Sequence, residues 1–171
     1  MKSRKPSRAA AAGRVRDADK PPRAHRAPPP LITADDLRRA IFELANMLAP
    51  ADVDDLLGSE DDLRARAARV DGERGKLFAA QLELAIMCLR DHAAGECPQI
   101  PYYTISMLAA ALAYLIDDLD LIPDFLPRIG TLDDALVMAM ALQLAEDGLR
   151  RYCTWKEIDP TPALRTPSRK A

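Results

Sequence analysis

The sequence predicts an all-α protein, a small bundle of about four or five helices ending in a helical hairpin. Three observations carry this. Ala and Leu supply most of the 49% hydrophobic content, and both favour helix interiors. Aromatic residues make up only 5% of the chain and Gly occurs 7 times in 171 residues, while runs of alternating β-branched residues are scarce, so strands have little to build from. Beyond residue 33, apolar positions recur every three or four residues, the period of one helix face. A chain of 171 residues is long enough for one cored domain with tails.

Residues 1–30 stand apart. They carry nine Lys or Arg against two Asp, a net +7, whereas the remainder carries 15 against 24, a net -9, within an overall -2. Rich in Arg, Ala and Pro and closing on Pro28-Pro29-Pro30, this stretch reads as a disordered tail. It lacks the apolar core of a secretory signal, so a location on the cytoplasmic side, soluble or membrane-associated, is expected and secretion is not. Such a tail is either simply solvated or an electrostatic tether to an anionic membrane surface or nucleic acid. The acidic body speaks against nucleic acid.

Each helix has its own signals. Thr33 and Asp36 have capping-box spacing, and Leu37, Ala40, Ile41, Leu44 and Leu48 follow on one face until Pro50 ends the run. A short turn from Val53 to Leu57 closes at Gly58. Ser59 with Asp62 offers a second cap for a segment through Leu63, Ala67 and Val70 that stops at Asp71-Gly72. From Glu73 to Ala94 the apolar positions Leu77, Ala80, Leu84 and Cys88, broadened by Phe78, Leu82, Ala85 and Leu89, predict a mostly buried helix. Gly95 supplies its left-handed stop, and Cys97 to Pro101 is an extended link.

The hairpin is expected over residues 102–153. Its first arm, Thr104 to Ile116, has 13 residues without a charge. The second, from Leu132 to about Tyr152, has Thr131 as candidate N-cap and Asp133 and Asp134 in its first turn, where the helix dipole favours carboxylates. Thirteen residues rise about 20 Å, short of the roughly 30 Å hydrocarbon core of a bilayer. Two ordinary spans are therefore not expected. A second disordered tail is expected over 159–171, from its three prolines and terminal basic residues.

Between the arms, Asp117, Asp118, Asp120, Asp124, Asp133 and Asp134 put six carboxylates within 18 residues. Two readings stand. As a site, Asp120, Asp124, Asp133 and Asp134 would suit a hard divalent cation, Mg²⁺, Mn²⁺ or Ca²⁺, perhaps with a phosphate-bearing ligand, although the spacing is not that of an EF-hand. As structure, Asp118 or Asp120 caps the connector, Asp124 fixes its turn, and Asp133 and Asp134 cap the next helix. No reaction is indicated: Ser59 and Ser106 have no base at telling spacing, and no Gly-rich phosphate loop occurs. Cys88, Cys97 and Cys153 form no Cys-x-x-Cys pair, which points to a reducing compartment. Cys88 is read as a core residue, Cys153 as a helix-end residue and His92 as a helix C-cap.

Tyr114, Asp120, Ile122-Pro123-Asp124, Pro127, Gly130 and Asp133-Asp134 fall in the frame Tyr-x5-Asp-x-Ile-Pro-Asp-x2-Pro-x2-Gly-x2-Asp-Asp. This frame resembles the signature of the YkvA-like bacterial proteins, a domain of unknown function. Leu31-Ile32-Thr33, the Asp52-Val53-Asp54 region, Ile100-Pro101 and Tyr152 to Lys156 extend the resemblance to residues 31–158. Asp118 departs from it, since the family usually has Pro there. The resemblance implies a helical domain without established activity whose members are often described as membrane-associated. Two functions are therefore expected in competition: a non-enzymatic module docking on a membrane or partner helix, and a divalent-metal site in the 117–134 connector.

Overall fold

The computed structural model describes residues 33–97, 99–116 and 131–164, with side chains from Asp134 onward in the last stretch. Among these residues the chain is all-α, as expected, with seven helices and no strand. They are α1 (Ala34–Met47), α2 (Pro50–Gly58), α3 (Glu60–Ala67), α4 (Gly72–Ala93), α5 (Tyr102–Leu115), α6 (Thr131–Leu144) and α7 (Glu146–Lys156). The tail of residues 1–30 lies outside the described residues.

α1 starts where its capping box predicts. The Asp36 N–H donates to Thr33 Oγ1 at 3.1 Å and the Thr33 N–H donates to the Asp36 carboxylate at 3.0 Å, so two orphan donors of the first turn are satisfied reciprocally. Pro50 does follow the end of α1, but it also opens a full helix, α2, at its first position. The missing N–H of Pro has no partner to lose there. What the sequence suggested as a single turn is therefore a nine-residue helix with Val53 and Leu56 buried.

Ser59 does not cap α3. It is shared between the end of α2 and the start of α3, and its φ of -100° and ψ of 16° are far from the extended backbone a capping side chain needs. Its hydroxyl donates instead to the Asp55 carbonyl at 3.4 Å. Glu60, Asp61 and Asp62 fill the first turn, where the helix dipole favours them.

α4 buries Phe78, Leu82, Ala85 and Leu89 at its centre, with Leu84, Ile86 and Cys88 beside them, while Leu77 and Ala80 are only half-buried. Its end is a Schellman motif: Glu96 N–H donates to the Asp91 carbonyl, Gly95 N–H to the His92 carbonyl, and Gly95 sits at φ 72°. Main chain thus closes α4, in place of the His92 side chain the sequence suggested.

α5 is the axis of the bundle. Every residue from Thr104 to Leu115 except Ser106 is buried, and α1, α2, α4, α6 and α7 all pack against it. A helix apolar on all sides needs such a coat. Truncating Leu108 or Leu112 to Ala would cost about 2–5 kcal/mol.

The second hairpin arm divides at Ala145 into α6 and α7. α7 comes so close to α5 that a Cβ on Gly148 would lie 1.9 Å from Thr104 Oγ1. Beyond α7, residues 160–164 turn back onto α4, where the buried Gln81 side chain donates to the Ala163 carbonyl at 3.3 Å and Ala163 is buried. The expected tail boundary at residue 159 is therefore too early, because Ala163 and Leu164 pack against the core.

Candidate functional site

Asp134 lies in the first turn of α6, and its carboxylate turns toward α3. Arg66 Nε donates to Oδ2 at 2.6 Å and Arg66 Nη2 to Oδ1 at 3.2 Å. The two parallel bonds match the guanidinium fork to both carboxylate oxygens. Leu63 and Ala67 carry α3 into the core, and Arg66, between them in sequence, reaches out along its edge. The Asp134 side chain is only 3% exposed, so without Arg66 its charge would sit almost dry, at a cost of several kcal/mol. The expectation that Asp134 caps its own helix is corrected: its oxygens are engaged by a residue of another helix.

The other signature residues divide by position. Tyr114 is buried in the last turn of α5 and lines a small apolar recess with Leu37, Ile41, Leu44 and Val137, between α1, α5 and α6. Asp120, Ile122, Pro123, Asp124, Pro127 and Gly130 lie outside the described residues, as do Asp117 and Asp118. Thr131 and Asp133 belong to α6 with their side chains outside that description; the helix begins at Thr131 rather than after it. Among the described residues, no group of three or more His, Cys, Asp or Glu is placed to hold a metal ion.

A second polar centre was not singled out from the sequence. Asp91, in the last turns of α4, accepts from Tyr152 Oη at 2.7 Å and from Lys156 Nζ at 2.6 Å, both on Oδ2. Burial by itself would raise the Asp91 pKa, but the bonds from Lys156 and Tyr152, with the charges of Lys156 and Arg90, hold it below the ordinary carboxylate value. Tyr152 is pushed up, first by burial and then by its bond to that carboxylate. The available signal was a lone Asp three residues after Cys88 on an otherwise apolar face.

The thiols surround this centre without becoming reactive. Cys88, Cys97 and Cys153 are all buried and unpaired, in agreement with Cys88 as a core residue. Burial pushes the Cys88 thiol up to about 12, and Cys97 and Cys153 are raised by burial too. At neutral pH they are thiols, poor nucleophiles and poor metal ligands.

Residues 104–140 match a family described as "Protein of unknown function (DUF1232)". The chain is also 35% identical over 68 residues to "Uncharacterized membrane protein YkvA" of Bacillus subtilis (strain 168), a stretch that is 40% of this chain and 64% of that relative. Residues 104–140 are thus DUF1232-like, and the likeness to YkvA covers just under two thirds of that relative's length. No solved structure matches it. The DUF1232 match takes in α5 from Thr104 and α6 up to Met140, and so includes Tyr114 and Asp134. Arg66, Asp91, Tyr152 and Lys156 stand outside it. No helix among the described residues is long and apolar enough to cross a membrane.

Proposed function

We propose that this DUF1232-like chain is a non-enzymatic module that associates peripherally with an anionic membrane surface. The observation that carries the reading is the burial of α5: the most apolar arm of the hairpin is coated by five other helices. Membrane contact is then made from the outside of an intact bundle. Two further facts support it. The relative from Bacillus subtilis is named a membrane protein, and the +7 of residues 1–30 suits anionic lipid, each basic residue near such a surface contributing about 1 kcal/mol.

The metal reading of Asp120, Asp124, Asp133 and Asp134 has less support, since the Arg66 guanidinium already occupies both oxygens of Asp134 and would repel a cation beside it. Flotation of the full-length protein with phosphatidylglycerol vesicles tests the membrane reading. It should float at low salt, be released at high salt, and fail to float once residues 1–30 are deleted. Protein that stays wholly in the soluble fraction with anionic vesicles at low salt would end this reading.

A further inference from the structure

From Ala135 to Leu142, α6 is apolar on all sides but, among the described residues, covered on only one. Over this stretch it reads Ala-Leu-Val-Met-Ala-Met-Ala-Leu, without a polar residue. Val137, Met138, Ala141 and Leu142 face the core. On the opposite side, Leu136 is 52% exposed, Ala139 is exposed and Met140 is only half-buried. Residues 136, 139 and 140 share one face, being three and four apart. Gln143, one turn further, is exposed and ends the strip. A helix of this composition is expected to be buried all round, so its outer face is built for contact with something outside the bundle.

We infer that this outer face of α6, centred on Leu136 and Met140, is the surface that enters the interfacial layer of an anionic bilayer. The inference rests on the proposed peripheral association and names the part of the fold that performs it. Size and charge select the occupant. A strip of two helical turns is far smaller than the roughly 800 Å² per partner that a stable protein interface buries, which disfavours a second copy. It is, however, of the scale of a single weak apolar anchor, which holds a protein to lipid only when an electrostatic signal is added. Residues 1–30 supply that signal, at +7 against the -9 of the remainder. Without the tail, the acidic body is repelled from anionic lipid; without Leu136, the tail alone attracts in a purely salt-dependent way.

The test uses the full-length chain and phosphatidylglycerol–phosphatidylcholine vesicles. Leu136→Glu should lower partitioning about tenfold or more, with an unchanged melting curve. Ala65→Glu, the same charge change at an exposed site on α3, should partition nearly as the parent does. Ala139→Cys carrying an environment-sensitive dye should shift its emission to the blue on adding vesicles; the native cysteines are buried and leave the label selective. Parent protein that floats together with an unaffected Leu136→Glu and an unshifted dye overturns the inference and leaves the membrane reading standing. A parent that does not float removes both. Should Leu136→Glu fail to fold, the dye decides alone. A dimer without lipid that Leu136→Glu dissolves would assign the face to a second copy and overturn the inference.

Discussion

Arg66 of α3 and Asp134 of α6 are joined by two hydrogen bonds of 2.6 and 3.2 Å across 68 residues of sequence. The last acidic residue of the family signature is thus held by a side chain outside the family-matched segment. The Asp134 carboxylate is nearly dry, so its charge depends on that one fork. Asp134→Ala is expected to cost about 1.5–3 kcal/mol, because it removes two charge-assisted hydrogen bonds. Asp134→Leu with Arg66→Met should lose less than the two single substitutions lose separately, because the side chains are in direct contact and their effects couple. Urea unfolding of the single and double variants checks this; losses that simply add would show that the two side chains do not stabilise one another.

The readable and unreadable parts of this chain separate along physical lines. Thr33 announced α1 and Gly95 closed α4 because caps act within a few residues, and spacing alone reports them. Phe78, Leu82, Ala85 and Leu89 were legible as a buried face for the same reason. Ser59 misled because its backbone serves two helices at once, which a sequence motif does not encode. The division of the second arm at Ala145 was hidden too, as was the close approach of Gly148 to Thr104, a contact across the bundle. The partners of Asp134 and Asp91 are likewise long-range, and a carboxylate in a sequence does not name its cation.

Asp91 makes stability depend on acid. Its folded-state pKa lies below the ordinary value, through the bonds from Lys156 and Tyr152 set against burial. A depressed carboxylate contributes stability that is present above its unfolded pKa of about 3.9 and is lost as pH falls through the folded pKa. Asp91→Asn should therefore destabilise the protein at neutral pH by about 1.5–3 kcal/mol. The deficit should shrink as pH falls below about 4. Thermal melts across that range check it; a deficit constant with pH would mean the contribution of Asp91 is not ionic.

Gly148 is where α7 touches α5. A methyl group there would lie 1.9 Å from Thr104 Oγ1, 2.8 Å from its Cβ and 2.9 Å from its Cγ2. These are distances that only movement of a helix can relieve. Gly148→Ala is expected to lose about 1–3 kcal/mol, although Ala favours helix more than Gly does. Thr104→Ala in the same chain should restore part of it, because the nearest clashing atom goes while Cβ remains. If Gly148→Ala proved stabilising in a denaturant titration, the close approach of α5 and α7 would be disproved.

Glu157 offers the opposite case, a position where glycine should help. It ends α7 at φ 58° and ψ 37°, left-handed backbone that an L side chain adopts at a cost of about 1–2 kcal/mol. The surrounding bonds explain why it is tolerated: Ile158 N–H reaches the Cys153 carbonyl at 3.0 Å and Glu157 N–H the Thr154 carbonyl at 3.3 Å. This is the same closure that Gly95 gives α4. Glu157 is exposed and has no side-chain hydrogen bond among the described residues to forfeit. Glycine removes the steric strain but also frees the unfolded chain, which returns part of the gain. Glu157→Gly is therefore expected to stabilise by about 0.5–1 kcal/mol net, read as a raised melting temperature. Glu157→Ala, which keeps a Cβ at the same φ, should gain nothing. Equal effects from the two variants would mean that the Glu side chain, and not the left-handed backbone, governs the end of α7.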